Sequence, residues 1–287
     1  MIQVLITGGN GYIARNLKPL LKKNGYRVIS PSHDELDLLN REQLINYIHT
    51  NKFDVVIHAA IKGGKRNVPD TFEEVYVKNI LMYENLVSAI DGKNIELFLF
   101  GSGAEFDRRI SINECSENKI YERWPIDPYG LSKKIITLRG LDRFPGSFTS
   151  SRTHILRLFG CFNHDEDSVR FIKASISNIK AGLPITIHQN KKMDFFYLDD
   201  IVSVINYILY HNNRPQDINL VYKNKIDLYT IATMICKYMG VEKNIIINNP
   251  TLGLSYTGAG DILSNLKISN EFIGLEEGIK ITCNHLK

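Results

Sequence analysis

Long apolar runs are missing from this sequence. No stretch approaches the roughly 18–20 unbroken apolar residues that cross a bilayer, so no membrane segment is expected. The run behind Met1 stops at Gly8, too short for the core of a secretory signal. Cysteine is scarce: the four, at 115, 161, 236 and 283, form no CxxC pair and have no histidines at zinc spacing. That pattern gives neither a disulfide scaffold nor an expected metal site. Like charges never run to five, and the net charge is only +4 over 287 residues, with basic and acidic residues interleaved. Nucleic acid is therefore not an expected partner. Repeats and low-complexity tracts are absent too. These absences leave a soluble, reduced, cytoplasmic protein. Its 44% hydrophobic composition suffices for one large domain or two unequal ones.

What is present is alternation. Short β-branched runs at 2–7, 26–30, 54–59, 95–100 and 153–159 read as buried strands. Between them, 12–23, 41–50, 72–91, 127–143 and 168–181 read as helices. Continuous apolar strands alternating with helices predict an α/β doubly wound parallel sheet. Beyond about 182 the order loosens. Strands at 184–188 and 219–222 and helices at 199–211 and 228–239 precede a turn-rich tail with Gly253, Gly258 and Gly260. The expected division is a nucleotide-binding domain over 1–165, to which segments of about 190–225 return, and a smaller α/β substrate-binding part over 166–287.

Gly8, Gly9 and Gly11 stand directly between the first strand and the first helix, with Tyr12 and Ile13 opening the helix and Ala14 at the third fingerprint position. A dinucleotide diphosphate needs a tight turn, close backbone approach and a free helix N-terminus, and Gly8 and Gly11 supply the turn and the approach. One thing is lacking at the end of the second strand. An acidic residue there holds the ribose of NAD, but the sequence offers Ser30, Pro31, Ser32 and His33, with Asp34 late. Ser32 and His33, with Arg15 nearby, suit a 2′-phosphate, so NADP is favoured and NAD remains possible.

Ser102 ends the fourth strand, where the ligand crevice of such a sheet opens. Tyr129 and Lys133 lie four apart, on one helix face. An ammonium beside a phenol favours proton exchange at a carbonyl, with Ser102 hydrogen-bonding the same oxygen. The expected reaction is therefore a proton transfer coupled to hydride transfer.

These features together resemble the extended short-chain dehydrogenase/reductases, the NAD-dependent epimerase/dehydratase family. The resemblance rests on TGGNGYIA, HAA (58–60), Asn79, Ser102, YGLSK, RLFG (157–160) and DFFYLDDIV (194–202). It implies a Rossmann-type domain, NAD(P), a nucleotide-sugar substrate and a homodimer. It also implies that Asp37 and Leu38 lie near the adenine and that Ala59, Ala60 and Asn79 border the cofactor. HDELDLL and FGSGAEF look most like GDP-L-fucose synthases and related 4-keto-sugar reductases. In that group a cysteine two residues after the serine and a later histidine work in 3,5-epimerisation. Here those positions are Ala104 and Arg170, which implies C4 reduction alone, unless Cys161 or His164 replaces them.

Glu105 and Asp107, just past Ser102, are candidates to meet the sugar hydroxyls, and Gly103, Ala104, Arg170 and Tyr256 are the further substrate-binding candidates. Asp107 shares the loop with Glu105, Lys173 and Lys180 are candidate diphosphate partners, and Tyr256 with Asn265 is a candidate base pocket. His58 reads as a satisfied core residue, Arg157 as an ion-pair partner, and the pair Asp199 and Asp200 as the N-cap of the helix behind it. Two further readings stay open. One is a bifunctional 3,5-epimerase/4-reductase or a 4-epimerase with tightly bound NAD; the other is a non-catalytic NADP-binding regulator.

Overall fold

The computed structural model describes residues 1–64, 68–141 and 152–287. Its first elements are β1 (Gln3–Thr7), α1 (Tyr12–Lys23), β2 (Arg27–Ile29), α2 (Arg41–Asn51) and β3 (Val55–His58). A π-helical stretch, Phe72–Val77, runs into α3 (Lys78–Ile90), followed by β4 (Glu96–Ser102), β5 (Ile112–Cys115) and α4 (Pro128–Gly140). Next come β6 (Thr153–Leu158), β7 (Cys161–Phe162), α5 (Phe171–Lys180), β8 (Ile185–Gln189), β9 (Phe196–Tyr197) and α6 (Ile201–Tyr210). The chain closes with β10 (Asp217–Leu220), α7 (Leu228–Met239), β11 (Ile245–Asn249), β12 (Tyr256–Gly258), α8 (Asp261–Asn265) and α9 (Gly274–Leu286). The helix expected over 127–143 is α4; its last two positions lie outside the described residues.

Two compact units emerge: 1–107, 118–157 and 211–218 form the first, and 108–117, 158–210 and 219–287 the second. This corrects the expected boundaries of 165 and of 190–225. Residues 108–117 go to the second unit because β5 pairs with β12, the Ile112 N–H donating to the Ser255 carbonyl and the Ala259 N–H to that of Cys115. The stretch that returns is short because its task is narrow: it brings the start of β10 to the sheet.

The first unit is built on a six-stranded sheet in the order β10-β6-β4-β3-β1-β2. The pairs β1/β2, β1/β3 and β3/β4 are parallel and in continuous register. From β1 the chain steps outward to β2 and then crosses back to β3, so the order switches direction between β1 and β3. Ligands of such sheets bind beyond the strand C-termini at that switch. Thr7, His58 and Ser102 are the residues that end β1, β3 and β4. Beneath them Leu5, Val56, Leu97 and Leu99 pack against Leu44 and Ile48 of α2, Leu86 of α3 and Ile136 of α4. Each such aliphatic side chain contributes roughly 1.5–3 kcal/mol by leaving water.

The second unit has its own core, in which Ile172 and Ile176 of α5, Ile185 and Ile187 of β8, Ile231 and Ile235 of α7, and Ile279 of α9 pack together. Short parallel pairs, β11 with β8 and β7 with β9, complete it.

Candidate active site

The turn after β1 is shaped by what its glycines lack. Gly8 has a φ of +71°, and a Cβ there would lie 2.8 Å from the Ala60 Cα. At Gly9 a Cβ would lie 2.5 Å from the Ser30 carbonyl oxygen, while the Gly9 N–H donates to the Pro31 carbonyl at 2.9 Å. The tight turn and close approach therefore fall to Gly8 and Gly9, where the sequence reading gives them to Gly8 and Gly11. Gly11 caps α1 with a φ of −71°, and its N–H donates to the Gly8 carbonyl at 2.7 Å. No side chain caps α1 and no acidic residue stands in its first turn. That leaves a cradle suited to a diphosphate, with Tyr12 and Ile13 half-buried at its start.

Thr7, also missed from sequence, organises the neighbouring strand end. Its Oγ1 accepts the N–H groups of Ala59 and Ala60, each at 3.2 Å. Its own hydrogen is then left for Nδ1 of His58, 2.9 Å away, which places the imidazole proton on Nε2. Burial, reinforced by the charge of Lys133, brings the His58 pKa down to about 3. His58 is thus a neutral, buried, satisfied residue. Asn79 is buried as well: its Oδ1 accepts from the Lys62 N–H (2.8 Å), and its amide donates to the Lys62 carbonyl and to Ser132 Oγ. Asn79 uses both ends of its amide to hold the loop behind β3 against α4.

At the end of β2, Ser32 and Glu35 form a small box. The Ser32 N–H donates to Glu35 Oε2 at 2.7 Å, and the Ser32 oxygen accepts from the Glu35 N–H at 3.4 Å. His33 is exposed, with Nδ1 3.7 Å from Asp37 Oδ1. Asp37 also accepts the Leu39 N–H, whereas Leu38 is buried in the core. Ser32 and His33 keep polar atoms for a ligand.

The three reaction-centre residues are built by β4 and α4. Ser102 Oγ accepts from the Ala104 N–H at 3.2 Å, so its hydrogen remains to donate. Asp127 caps α4 by accepting the Gly130 N–H at 2.8 Å, with Pro128 in the first turn. A Cβ on Gly130 would lie 2.7 Å from the Ala104 carbonyl oxygen, so α4 can approach the Ser102 turn only as glycine. One turn on, buried Lys133 donates to the Phe100 carbonyl at 2.6 Å, two residues before Ser102. Burial brings its pKa down to about 8, opposed by the negative charge of Glu105. Tyr129 is half-buried, and the bare backbone of Gly64, at φ +70°, leaves room for its ring: a Cβ there would stand 3.0 Å away. α4 thus brings Tyr129 and Lys133 to the strand that ends in Ser102.

Glu105 requires a correction. Expected at the sugar, it is fully buried, and both oxygens are taken by protein donors. Oε1 accepts from the Ser102 N–H (2.7 Å) and Thr137 Oγ1 (3.1 Å), and Oε2 from Arg157 Nε (2.9 Å). Arg157 turns its other nitrogens to Asp217 at 2.7 and 3.2 Å, which makes it the ion-pair partner it was read to be. Asp107 is buried too, as are Gly103 and Ala104.

In the second unit, Arg170 is exposed and stands at the N-terminus of α5, where its carbonyl accepts the Ala174 N–H. Tyr256 is half-buried, edge-on to Phe159 with ring centroids 5.2 Å apart. Asn265 ends α8. Cys161 is buried, and His164 stacks on His285 at 3.8 Å, its pKa lowered by burial and by that neighbour. Lys180 donates to the Leu286 carbonyl at the end of α9, and the Lys173 N–H to buried Glu166. Asp200 corrects another expectation. It stands before α6, but its carboxylate accepts the Ile273 and Gly274 N–H groups at 2.7 and 3.0 Å and so caps α9. Among the described residues, no group of three or more His, Cys, Asp or Glu is placed to hold a metal ion, and no helix is long and apolar enough to cross a membrane.

The sequence profile of the NAD dependent epimerase/dehydratase family matches residues 4–220. A GDP-L-colitose synthase of Yersinia pseudotuberculosis is 25% identical, over 99% of this chain and 97% of its own. A GDP-mannoheptose C4 reductase from Campylobacter jejuni, solved with NADP bound, superposes with a TM-score of 0.79 at 18% identity, over 99% of this chain and 97% of its own. A GDP-L-fucose synthetase from Naegleria fowleri, bound to NADP, gives a TM-score of 0.78 at 16% identity, over 99% of this chain and 92% of its own.

Proposed function

Because the chain belongs to the NAD dependent epimerase/dehydratase family, and is thereby an NAD(P)-dependent oxidoreductase, we propose that it uses NADPH to reduce the C4 carbonyl of a GDP-linked 4-keto sugar, a deoxyhexose or heptose. The observation that carries this reading is the docking of α4 on β4. It sets Lys133 on the Phe100 carbonyl and brings the helix of Tyr129 to the strand of Ser102.

When bound, the nicotinamide supplies the hydride. The protein's part is the proton and the charge. Tyr129 donates its phenolic proton to the C4 oxygen as negative charge develops there, and Ser102 steadies the same oxygen with the one hydrogen its Ala104 contact leaves free. Lys133, buried beside the strand end, supports the tyrosinate that results. Gly8, Gly9 and Gly11 with the start of α1 receive the diphosphate. Ser32 and His33 receive the 2′-phosphate, and Asp37 and Leu38 lie toward the adenine. Ala59 and Ala60 line the strand end, and the loop held by Asn79 borders it. Gly103, Ala104, Arg170 and Tyr256 are assigned to the substrate; alanine at Arg170 or Tyr256 should raise KM for the sugar nucleotide.

Ala104 supports reduction without epimerisation, since a methyl group exchanges no proton. Burial of Cys161 and the contact of His164 with His285 support the same reading. We propose that the protein works in the cytoplasm and as a homodimer.

The test is a panel of 4-keto nucleotide sugars offered with NADPH and with NADH, followed by loss of the reduced cofactor's absorbance. GDP-linked substrates with NADPH should turn over fastest. Repeated in heavy water, the product should carry no deuterium at C3 or C5; label at either carbon identifies the bifunctional epimerase/reductase instead.

A further inference from the structure

We propose that Glu105 is a positioning residue of the reaction centre, a single buried carboxylate that ties the Ser102 turn to the helix carrying Tyr129 and Lys133. The inference rests on the reading of those three residues as the centre.

The geometry is convergent. Oε1 holds the main chain of Ser102 and, through Oγ1 of Thr137, the helix α4. Thr137 lies one turn beyond Lys133 and two beyond Tyr129, on the same helix face. Oε2 is fixed by Arg157, which Asp217 grips from the other side, so the carboxylate has no freedom to turn away. Gly101 confirms that the space is reserved: a Cβ there would stand 3.0 Å from Glu105 Oε1. The result reaches chemistry through two routes. A fixed Ser102 main chain fixes where its hydroxyl hydrogen points. A fixed α4 sets how far Tyr129 stands from the serine.

Charge adds a third route. Lys133 is a buried ammonium whose charge is felt by neutral His58 of β3 and which itself feels the Glu105 carboxylate, with Tyr129 on its own helix. Glu105 in turn faces Arg157 of β6 and Asp217 of β10. Burial raises its pKa, but every partner of its oxygens is a donor and one is a guanidinium, so it is held as the anion. Its charge then favours the protonated form of Lys133 against the effect of burial. Buried ion networks of this kind are poor stabilisers, because apolar side chains of the same volume serve about as well. Their value lies in fixing one arrangement.

Glu105→Gln keeps the volume, removes the charge and turns an N–H toward a group that is itself a donor. Two readouts are taken. Competitive acetylation of Lys133 across pH, read by peptide mass spectrometry, needs no substrate; turnover and NADPH binding are measured beside it. The expected result is a Lys133 pKa lower by about 0.5–1 unit, a kcat lower by about 10- to 100-fold with its basic limb moved down likewise, and an NADPH Kd within about threefold of the parent. Unchanged kcat together with an unmoved Lys133 titration overturns the proposal. Wild-type protein inert on every keto sugar, with the Lys133 shift still present, overturns the substrate reading and leaves Glu105 in its role. If Glu105→Gln does not fold, Thr137→Val removes the helix tie alone. It should acetylate Lys133 about threefold faster and lower kcat about three- to tenfold, and parent-like behaviour in both overturns the proposal.

Discussion

Glu166 is an acid where an acid is costly. It is almost wholly buried before α5, accepts the Lys173 N–H, and has a pKa pushed up to about 7 by that burial, with Arg170 and Lys173 pulling the other way. In the unfolded chain it titrates near its ordinary 4.5. Between those values the native protein holds a proton that the unfolded chain has lost, so its contribution to stability is full below about pH 4.5 and declines as pH rises toward 7. Over that window the loss is about 3 kcal/mol. Glu166→Gln keeps the acceptor and removes the titration. Urea unfolding at pH 5 and pH 8 should show the variant gaining about that much on the parent, and parallel curves at the two pH values sink the idea. Cofactor choice belongs to this scale as well. Ser32→Asp puts a carboxylate where the end of β2 has none. It should weaken NADPH binding at least about tenfold while sparing NADH, as two fluorescence titrations would show. Equal losses for both cofactors would move the 2′-phosphate elsewhere.

Elements were legible in the sequence wherever their signals were local. The β1 turn, α1, α2, α4 and α7 appear within a few residues of their expected places, because the apolar period and, for α2, α4 and α7, the N-cap residue lie side by side in the chain. α9 was invisible for the opposite reason. It starts at Gly274 with a φ of +81° and no cap of its own, and the Asp200 that satisfies its first N–H groups lies 73 residues away. Asp200→Ala should therefore cost about 2–3 kcal/mol and speed hydrogen exchange in the first turn of α9 more than in α6, where the sequence had put the cap. Faster exchange in α6 alone would contradict this. Glu105 teaches a related lesson. Ser102 and Glu105 spell a capping box, a local signature, yet beside a reaction centre an acid reads as a ligand. What the spacing did not carry was Arg157, whose pull on that acid depends on two strands meeting in the sheet.

At the scale of the whole molecule, the sequence conveyed that two units interleave but not where, since β5 is too short and polar to declare itself. One surface feature bears on assembly. Phe72 and Val77 of the stretch leading into α3, and Leu81 of α3 itself, are exposed, with Phe72 stacked on Tyr76 at 4.4 Å. Apolar exposure of this kind suits a second copy of the chain. Light scattering should give twice the monomer mass, and Phe72→Glu with Leu81→Glu should return it to one; a parent that is already monomeric refutes the homodimer. The order of the strands also sets an order in time. β10 is the edge strand beside β6, and Asp217 on it follows Arg157 by 60 residues. On a ribosome adding about 5–20 residues per second, roughly 3–12 s separate the two. For that interval the nascent sheet ends in β6 with its outer edge open and a guanidinium awaiting its second acid. It is then a natural client for a chaperone, and slower codons between the two residues should lower the yield of active protein.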